Sequence, residues 1–163
     1  LKNISTLEEL DRIIRSHKEH GERIVLANGC FDLIHVGHTR YLRESKRCGD
    51  ILVVAINSDS SVGRLKGPGR PILPESERAA ILSAFECVDY IIVFSEPNVE
   101  KILQTIKPDV HAKGSDYTRE TVPERATVLS YGGEIAITGG PKVRSTSEIL
   151  SYIRNNDTSE SHG

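Results

Sequence analysis

His35 and His38 stand three residues apart, with Gly37 between them, in the stretch ANGCFDLIHVGHTRY at 27–41. An imidazole offers a donor and an acceptor, titrates near neutral pH and can ligate metals. At this spacing the two rings share one side of a first helical turn. A helix start also presents unpaired N–H groups and a partial positive charge, which attract anions. Gly37 has no side chain, so a phosphate could approach the backbone closely there. A phosphate cradle, a metal pair and a capped turn with incidental histidines all fit the residues so far. The metal reading lacks a third His, Cys or carboxylate at ligand spacing nearby, and the carboxylate of an HExxH motif is missing. No metal held directly by protein ligands is expected.

The usual phosphate loops are absent. There is no GxxxxGK followed by Ser or Thr, and no GxGxxG after any apolar run. Any nucleotide must therefore be bound in another way. Cys30 could suggest a nucleophile, but no Cys–His–Asn set accompanies it, and it reads as a small turn residue.

Elements to position these residues can be read from periodicity. Leu7, Leu10, Ile13 and Ile14 form a helical stripe within residues 1–21, with Ser5 and Glu8 in capping-box register. RIVLAN, ILVVAIN, VDYIIVF, DVHAKG and EIAIT read as buried strands. Helical segments alternate with them: VGHTRYLRESKRCG, PESERAAILSAF, NVEKILQTIK with Asn98 as cap, ERATVLSYGG, and STSEILSYIRNN with Ser145 and Glu148 in capping-box register. SDSSVGRLKGPGRPIL reads as a Gly-, Pro- and basic-rich loop. The alternation predicts an α/β, Rossmann-like, doubly wound sheet of about five parallel strands with helices on both faces. Ligands bind such sheets beyond the carboxyl ends of the strands. The expected site thus gathers the segments after VLAN, VAIN, IIVF, HAKG and AIT. Residues 1–153 read as one domain and 154–163 as a disordered tail.

Bulk properties agree with a soluble globular protein: 163 residues, 37% apolar and 27% charged, with a formal net charge of −2. That charge argues against a nucleic-acid partner and requires any anion site to be a local basic cluster. No apolar run reaches the ~18 residues of a membrane span. The first ten residues lack the apolar core of a signal peptide. Cys30, Cys48 and Cys87 form no CxxC pair, so neither a disulfide framework nor a structural zinc site is expected, and a cytoplasmic location fits.

GCFDLIHVGH resembles the signature of the HxGH nucleotidylyltransferase superfamily. Its cytidylyltransferases and small adenylyltransferases carry a Gly-Thr-Phe-Asp turn before HxGH. Cys30 replaces the threonine here, as in the NGCFD turn of bacterial heptose-phosphate adenylyltransferases. RLKGPGRP, ERAAIL, CVDYIIVF, KPDV, AKGSDY and RSTSEI follow in the order of that branch, so the similarity runs from Arg23 to Ile153. Ser115 and Ser147 stand where glycine and threonine are common. The chain looks like the adenylyltransferase domain of a bifunctional heptose kinase/adenylyltransferase.

The resemblance implies transfer of AMP from Mg²⁺-bound ATP to a heptose 1-phosphate, giving ADP-heptose and pyrophosphate. The attacking phosphate oxygen is already anionic, since a phosphate monoester has a second pKa of about 6. Positioning and electrostatics would then carry the reaction, with no covalent intermediate. On this reading His35, His38 and Lys66 are catalytic. Cys30, Phe31, Asp32, Gly37, Gly114, Asp116, Arg144, Ser145 and Thr146 bind the nucleotide. Asp32 could instead fix its turn by accepting backbone N–H bonds, or help hold Mg²⁺ through water. Arg70, Arg78 and Lys142 are candidate phosphate contacts, and Arg78 could alternatively pair on the surface with Glu75 or Glu77. A homodimer is implied. The rival readings are a cytidylyltransferase acting on glycerol 3-phosphate or a similar alcohol phosphate, and a nucleotide-binding regulatory module without activity.

Overall fold

A computed structural model of the chain describes residues 2–157. Its centre is a six-stranded parallel sheet: β1 (Asn3–Ile4), β2 (Ile24–Gly29), β3 (Ile51–Asn57), β4 (Tyr90–Phe94), β5 (Val110–Gly114) and β6 (Glu134–Thr138). The five expected strands are all present, in a Rossmann-like α/β arrangement. The sixth, β1, is a two-residue strand that pairs Asn3 with Ile91 and is too short to show a period.

The helices are α1 (Leu7–Glu19), α2 (Val36–Lys46), α3 (Asp59–Lys66), α4 (Glu75–Ser83), α5 (Glu100–Ile106), α6 (Arg125–Ser130) and α7 (Thr146–Asp157). Strand alternation sends Leu26, Val53, Ala55 and Ile92 to one face, where they pack with Leu10 and Ile14 of α1 and Leu103 of α5. Val25, Ala27, Val54 and Ile91 go to the other face, against Leu42 of α2 and Leu82 of α4. Both faces of the sheet are therefore covered, as apolar strands require.

The strand order is β1-β4-β3-β2-β5-β6. The chain winds outward from β2 through β3 to β4, then crosses over to build β5 and β6 on the other side. The direction of winding reverses between β2 and β5, which makes that crevice the topological switch point.

Several local expectations need correction. Thr6, not Ser5, caps α1: its hydroxyl accepts from the Glu9 amide at 3.1 Å, while the Glu9 carboxylate accepts from the Ser5 amide. Forming β1 moves the helix start one residue on. Val99 is the N-cap of α5, and Asn98 acts one position earlier by accepting from the Glu100 amide. The segment read as a loop after β3 begins as helix α3. Its serines and Gly63 are poor helix formers, but the Ser58 hydroxyl caps it and Val62 is fully buried. Residues 154–157 belong to α7, not to a tail, and 158–163 lie outside the described residues. Among the described residues, no helix is long and apolar enough to cross a membrane.

Candidate active site

The ladder between β2 and β5 ends at the pair Ala27 and Ala112. Beyond it the strands part, and the Tyr41 hydroxyl stands in the gap. It accepts from the Asn28 amide at 3.3 Å and donates to the Ala112 carbonyl at 2.7 Å. Two backbone groups left by the parting strands are thereby satisfied. Above the gap opens a cavity of about 570 Å³. Its walls come from the turn after β2, Asn57 at the end of β3, Lys66 and Arg70, residues 113–117 from the end of β5 onward, and 138–147 from the end of β6 onward. The end of β4, expected to contribute, does not line it. That strand lies two positions from the switch point, and its end is tied beneath α3: the Ser58 amide donates to the Phe94 carbonyl and Arg64 to the Ser95 carbonyl.

The histidines do face one side of a first turn, with ring centroids 3.9 Å apart. Each also has a local task that the spacing alone did not reveal. His35 is the N-cap of α2, and its Nδ1 accepts from the Gly37 amide at 3.1 Å. His38 Nδ1 accepts from the His35 amide at 3.3 Å. With both Nδ1 atoms accepting, the proton of each neutral ring sits on Nε2. Two Nε2–H donors therefore remain for a ligand. Burial, with the neighbouring His35 adding to it, lowers the His38 pKa to about 4. Burial also lowers that of His35, although Glu148 opposes the shift. Both rings are neutral donors near pH 7. The capped turn and the phosphate cradle are thus one structure.

Gly37 serves a close approach within the protein. A Cβ there would lie 2.9 Å from Cε1 of His35 and 3.5 Å from the Arg144 carbonyl oxygen. Any side chain at 37 would displace the capping ring. Phe31 holds the turn in a left-handed conformation, φ 48°, and its buried ring packs 5.1 Å from His38 and 6.2 Å from Tyr41. Cys30 is a turn residue. Its thiol lies 3.8 Å from the Asn57 amide oxygen, and burial raises its pKa, which opposes any role as a thiolate.

A second helix start meets the first. The Ser145 hydroxyl accepts from the Glu148 amide at 3.2 Å, and the Glu148 carboxylate accepts from the Ser145 amide at 2.7 Å, completing the expected capping box of α7. Thr146 donates to the Leu33 carbonyl at 3.3 Å, which fastens this terminus to the turn before α2. Lys142, Arg144, Ser145 and Thr146 all line the cavity. So do Gly114 and Asp116, the latter paired with Lys142 at 3.8 Å. Lys66, Arg70, Lys142 and Arg144 supply the local basic cluster that a near-neutral chain needs to hold an anion.

Three placements differ from expectation. Lys66 is the last residue of α3, followed by Gly67 at φ 90°, so it extends from a helix end instead of a free loop. Asp32 fixes a turn, but a distant one. Its buried carboxylate accepts from Arg70 Nε at 2.7 Å and from the amides of Ile72 and Leu73. Burial pushes its pKa up, but the Leu73 and Ile72 amides and Arg70 outweigh this and leave it below the usual carboxylate value. Arg78 neither reaches the cavity nor pairs with Glu75 or Glu77. It is fully buried and donates to the carbonyls of Leu73, Cys30 and Asn57 and to the Asp59 carboxylate. Those bonds join the turn after β2, the end of β3 and the approach to α4.

Sequence reasoning missed Asn28, Tyr41, Asn57, Lys113 and Tyr117, which also line the cavity. Asn28, Asn57 and Lys113 sit at strand ends, where a polar residue finishing an apolar run was the available signal. Tyr41 gave none, because it occupies an ordinary core position of an amphipathic helix.

A family model described as cytidylyltransferase-like matches residues 26–146. The chain belongs to the cytidylyltransferase-like family of nucleotidyltransferases. The match spans the strands and loops that build the cavity. Among curated members, the chain is 44% identical over 157 residues to the bifunctional protein HldE of Geotalea uraniireducens, covering 96% of this chain and 32% of that one. It is 47% identical over 150 residues to the HldE of Geobacter metallireducens, covering 92% and 31%. The chain thus spans about a third of the length of these relatives. A solved lipopolysaccharide core biosynthesis protein from Thermoplasma volcanium superposes with a TM-score of 0.60 at 34% identity, covering 72% of this chain and 94% of that one. A pantoate–beta-alanine ligase from Francisella tularensis shares the fold, with a TM-score of 0.60 at 16% identity, covering 90% of this chain and 69% of that one.

Proposed function

We propose that this cytidylyltransferase-like chain transfers AMP from ATP to a heptose 1-phosphate, releasing pyrophosphate and forming ADP-heptose. The observation that carries the reading is the meeting of two helix N-termini beside the paired Nε2–H donors of His35 and His38. Such a site favours a triphosphate and strengthens its hold as charge moves to the leaving group. The similarity to HldE proteins and to a lipopolysaccharide core biosynthesis protein supports the heptose acceptor.

In this mechanism the sugar-phosphate oxygen attacks the α-phosphorus in line. A new P–O bond forms, the α–β bridge bond breaks, and its electron pair leaves with pyrophosphate. His35 and His38 donate to the triphosphate oxygens without giving up their protons. Lys66 and Arg70, on the β3 side of the cavity, offset the repulsion between the two phosphate groups. Arg144 and the α7 terminus hold the departing pyrophosphate.

Mg²⁺ bound with the triphosphate would screen its charge. Asp32 is committed to Arg70 and two amides, and the described residues contain no cluster of three His, Cys, Asp or Glu side chains suited to a metal, so the phosphates would provide the protein-independent ligands. The reading includes a cytoplasmic homodimer.

Pyrophosphate release over a matrix of ATP or CTP with heptose 1-phosphate or glycerol 3-phosphate tests the assignment. Turnover is expected with ATP and heptose 1-phosphate. Turnover only with CTP and glycerol 3-phosphate would replace it by the cytidylyltransferase reading.

A further inference from the structure

Lys113 is the penultimate residue of β5; its side chain is only 9% exposed, yet it lines the cavity. Its ammonium group lies 3.7 Å from Glu124 Oε2, beyond ordinary hydrogen-bond length, and 4.7 Å from the centre of the Tyr117 ring. Glu124 Oε2 is itself buried and without a hydrogen bond. The carboxylate and the aromatic face hold the amino group in place from behind and beside it. Neither satisfies its three N–H donors. An ammonium group on a cavity wall that makes no protein hydrogen bond of ordinary length has donors to offer a ligand.

Strand alternation indicates which part of a ligand that is. Val110 and Ala112 pack on the face that carries α2, so His111 and Lys113 point to the opposite face. The histidines and the start of α2 are on the other side of the sheet from Lys113. Lys66 and Arg70 lie across β2, on its β3 flank. Lys113 is therefore set apart from both phosphate-binding groups, beside an aromatic ring that offers a stacking surface.

We propose that Lys113 is a specificity-determining contact to the nucleoside half of ATP, donating to a ring nitrogen or ribose hydroxyl, with Glu124 and Tyr117 as its positioning residues. The inference rests on the ATP reading above. Burial lowers the Lys113 pKa, and Glu124 opposes the shift.

The test is calorimetric titration of ATP and of inorganic tripolyphosphate into the unaltered protein, Lys113→Met and Lys113→Arg. Loss of a hydrogen bond from a charged donor should weaken ATP binding by about tenfold or more in Lys113→Met. Tripolyphosphate binding should not change, and Lys113→Arg should recover part of the loss. A parallel series of 1-deaza-, 3-deaza-, 7-deaza-, 2′-deoxy- and 3′-deoxy-ATP on the unaltered protein should contain one analogue with a comparable loss. That analogue and ATP should then bind Lys113→Met equally. Equal ATP affinity in the unaltered protein and Lys113→Met overturns the inference alone, as does an equal loss for tripolyphosphate. If Lys113→Met does not fold, uniform affinity across the analogue series overturns it. Absence of ATP binding to the unaltered protein overturns this inference and the proposed function together.

Discussion

At the scale of single residues, tautomer and charge decide what the histidine pair can do. A neutral Nε2–H can donate to phosphate while remaining unable to quench the attacking oxyanion. ¹⁵N spectroscopy at pH 7 should find Nδ1 unprotonated and Nε2 protonated in both rings; protonation at Nδ1 would contradict the capping geometry. Replacing Gly37 by alanine places a methyl group 2.9 Å from the His35 ring. The ring must leave its cap, so pyrophosphate release should fall by about a hundredfold, on the order of losing an oriented transition-state donor. The melting temperature should fall by only a few degrees, as for loss of a cap worth ~1 kcal/mol. These two histidines and the glycine were legible in the sequence because their spacing is local. Their Nδ1 bonds were not, since they depend on where the helix begins.

At the scale of elements, Lys66 and Arg78 separate activity from stability. Both were basic candidates in neighbouring segments, Lys66 as catalytic and Arg78 as a phosphate contact or a surface ion pair, and nothing local to Arg78 signals its burial. Their difference lies in what the fold brings near: an open cavity for Lys66, three carbonyls and a carboxylate for Arg78. Lys66→Ala should reduce kcat by about a hundredfold, a typical loss for a transition-state contact, with an unchanged melting temperature. Arg78→Ala should lower unfolding free energy by about 3 kcal/mol, because it leaves buried carbonyl acceptors without their donor and empties a fully buried side-chain site. Urea unfolding and steady-state rates on both variants check the contrast. Asp32 belongs with Arg78. It fixes residues 70–73 from 38 or more positions away in sequence, a distance over which periodicity carries no signal.

At the scale of the whole molecule, the parallel sheet was legible because apolar runs alternate with amphipathic segments. The exclusion of the β4 end from the cavity was not, because it follows from strand order. Acid stability is also a property of the whole fold. Burial lowers the pKa of His111 to about 3 and of His38 to about 4, from 6.5. Between those values the unfolded chain binds protons that the folded chain refuses. The contribution is fully present above about pH 6.5 and is lost as the pH falls, toward 4 for His38 and toward 3 for His111. Thermal unfolding across this range should show a melting temperature that declines with acidity, and His111→Gln should flatten the decline.

Helix α7 has no buried residue, yet its first turn forms part of the cavity wall. It is held to the rest of the protein by the Thr146 bond to Leu33 and by the half-buried Ile149 and Leu150. Such a helix can open without disturbing the core, so its amides should exchange with solvent far sooner than those of β2 or β3. A bound triphosphate would add the interactions that the protein itself withholds. Amide exchange in α7 then becomes a direct gauge of site occupancy, slowing as nucleotide is added while the central strands keep their own slow rate.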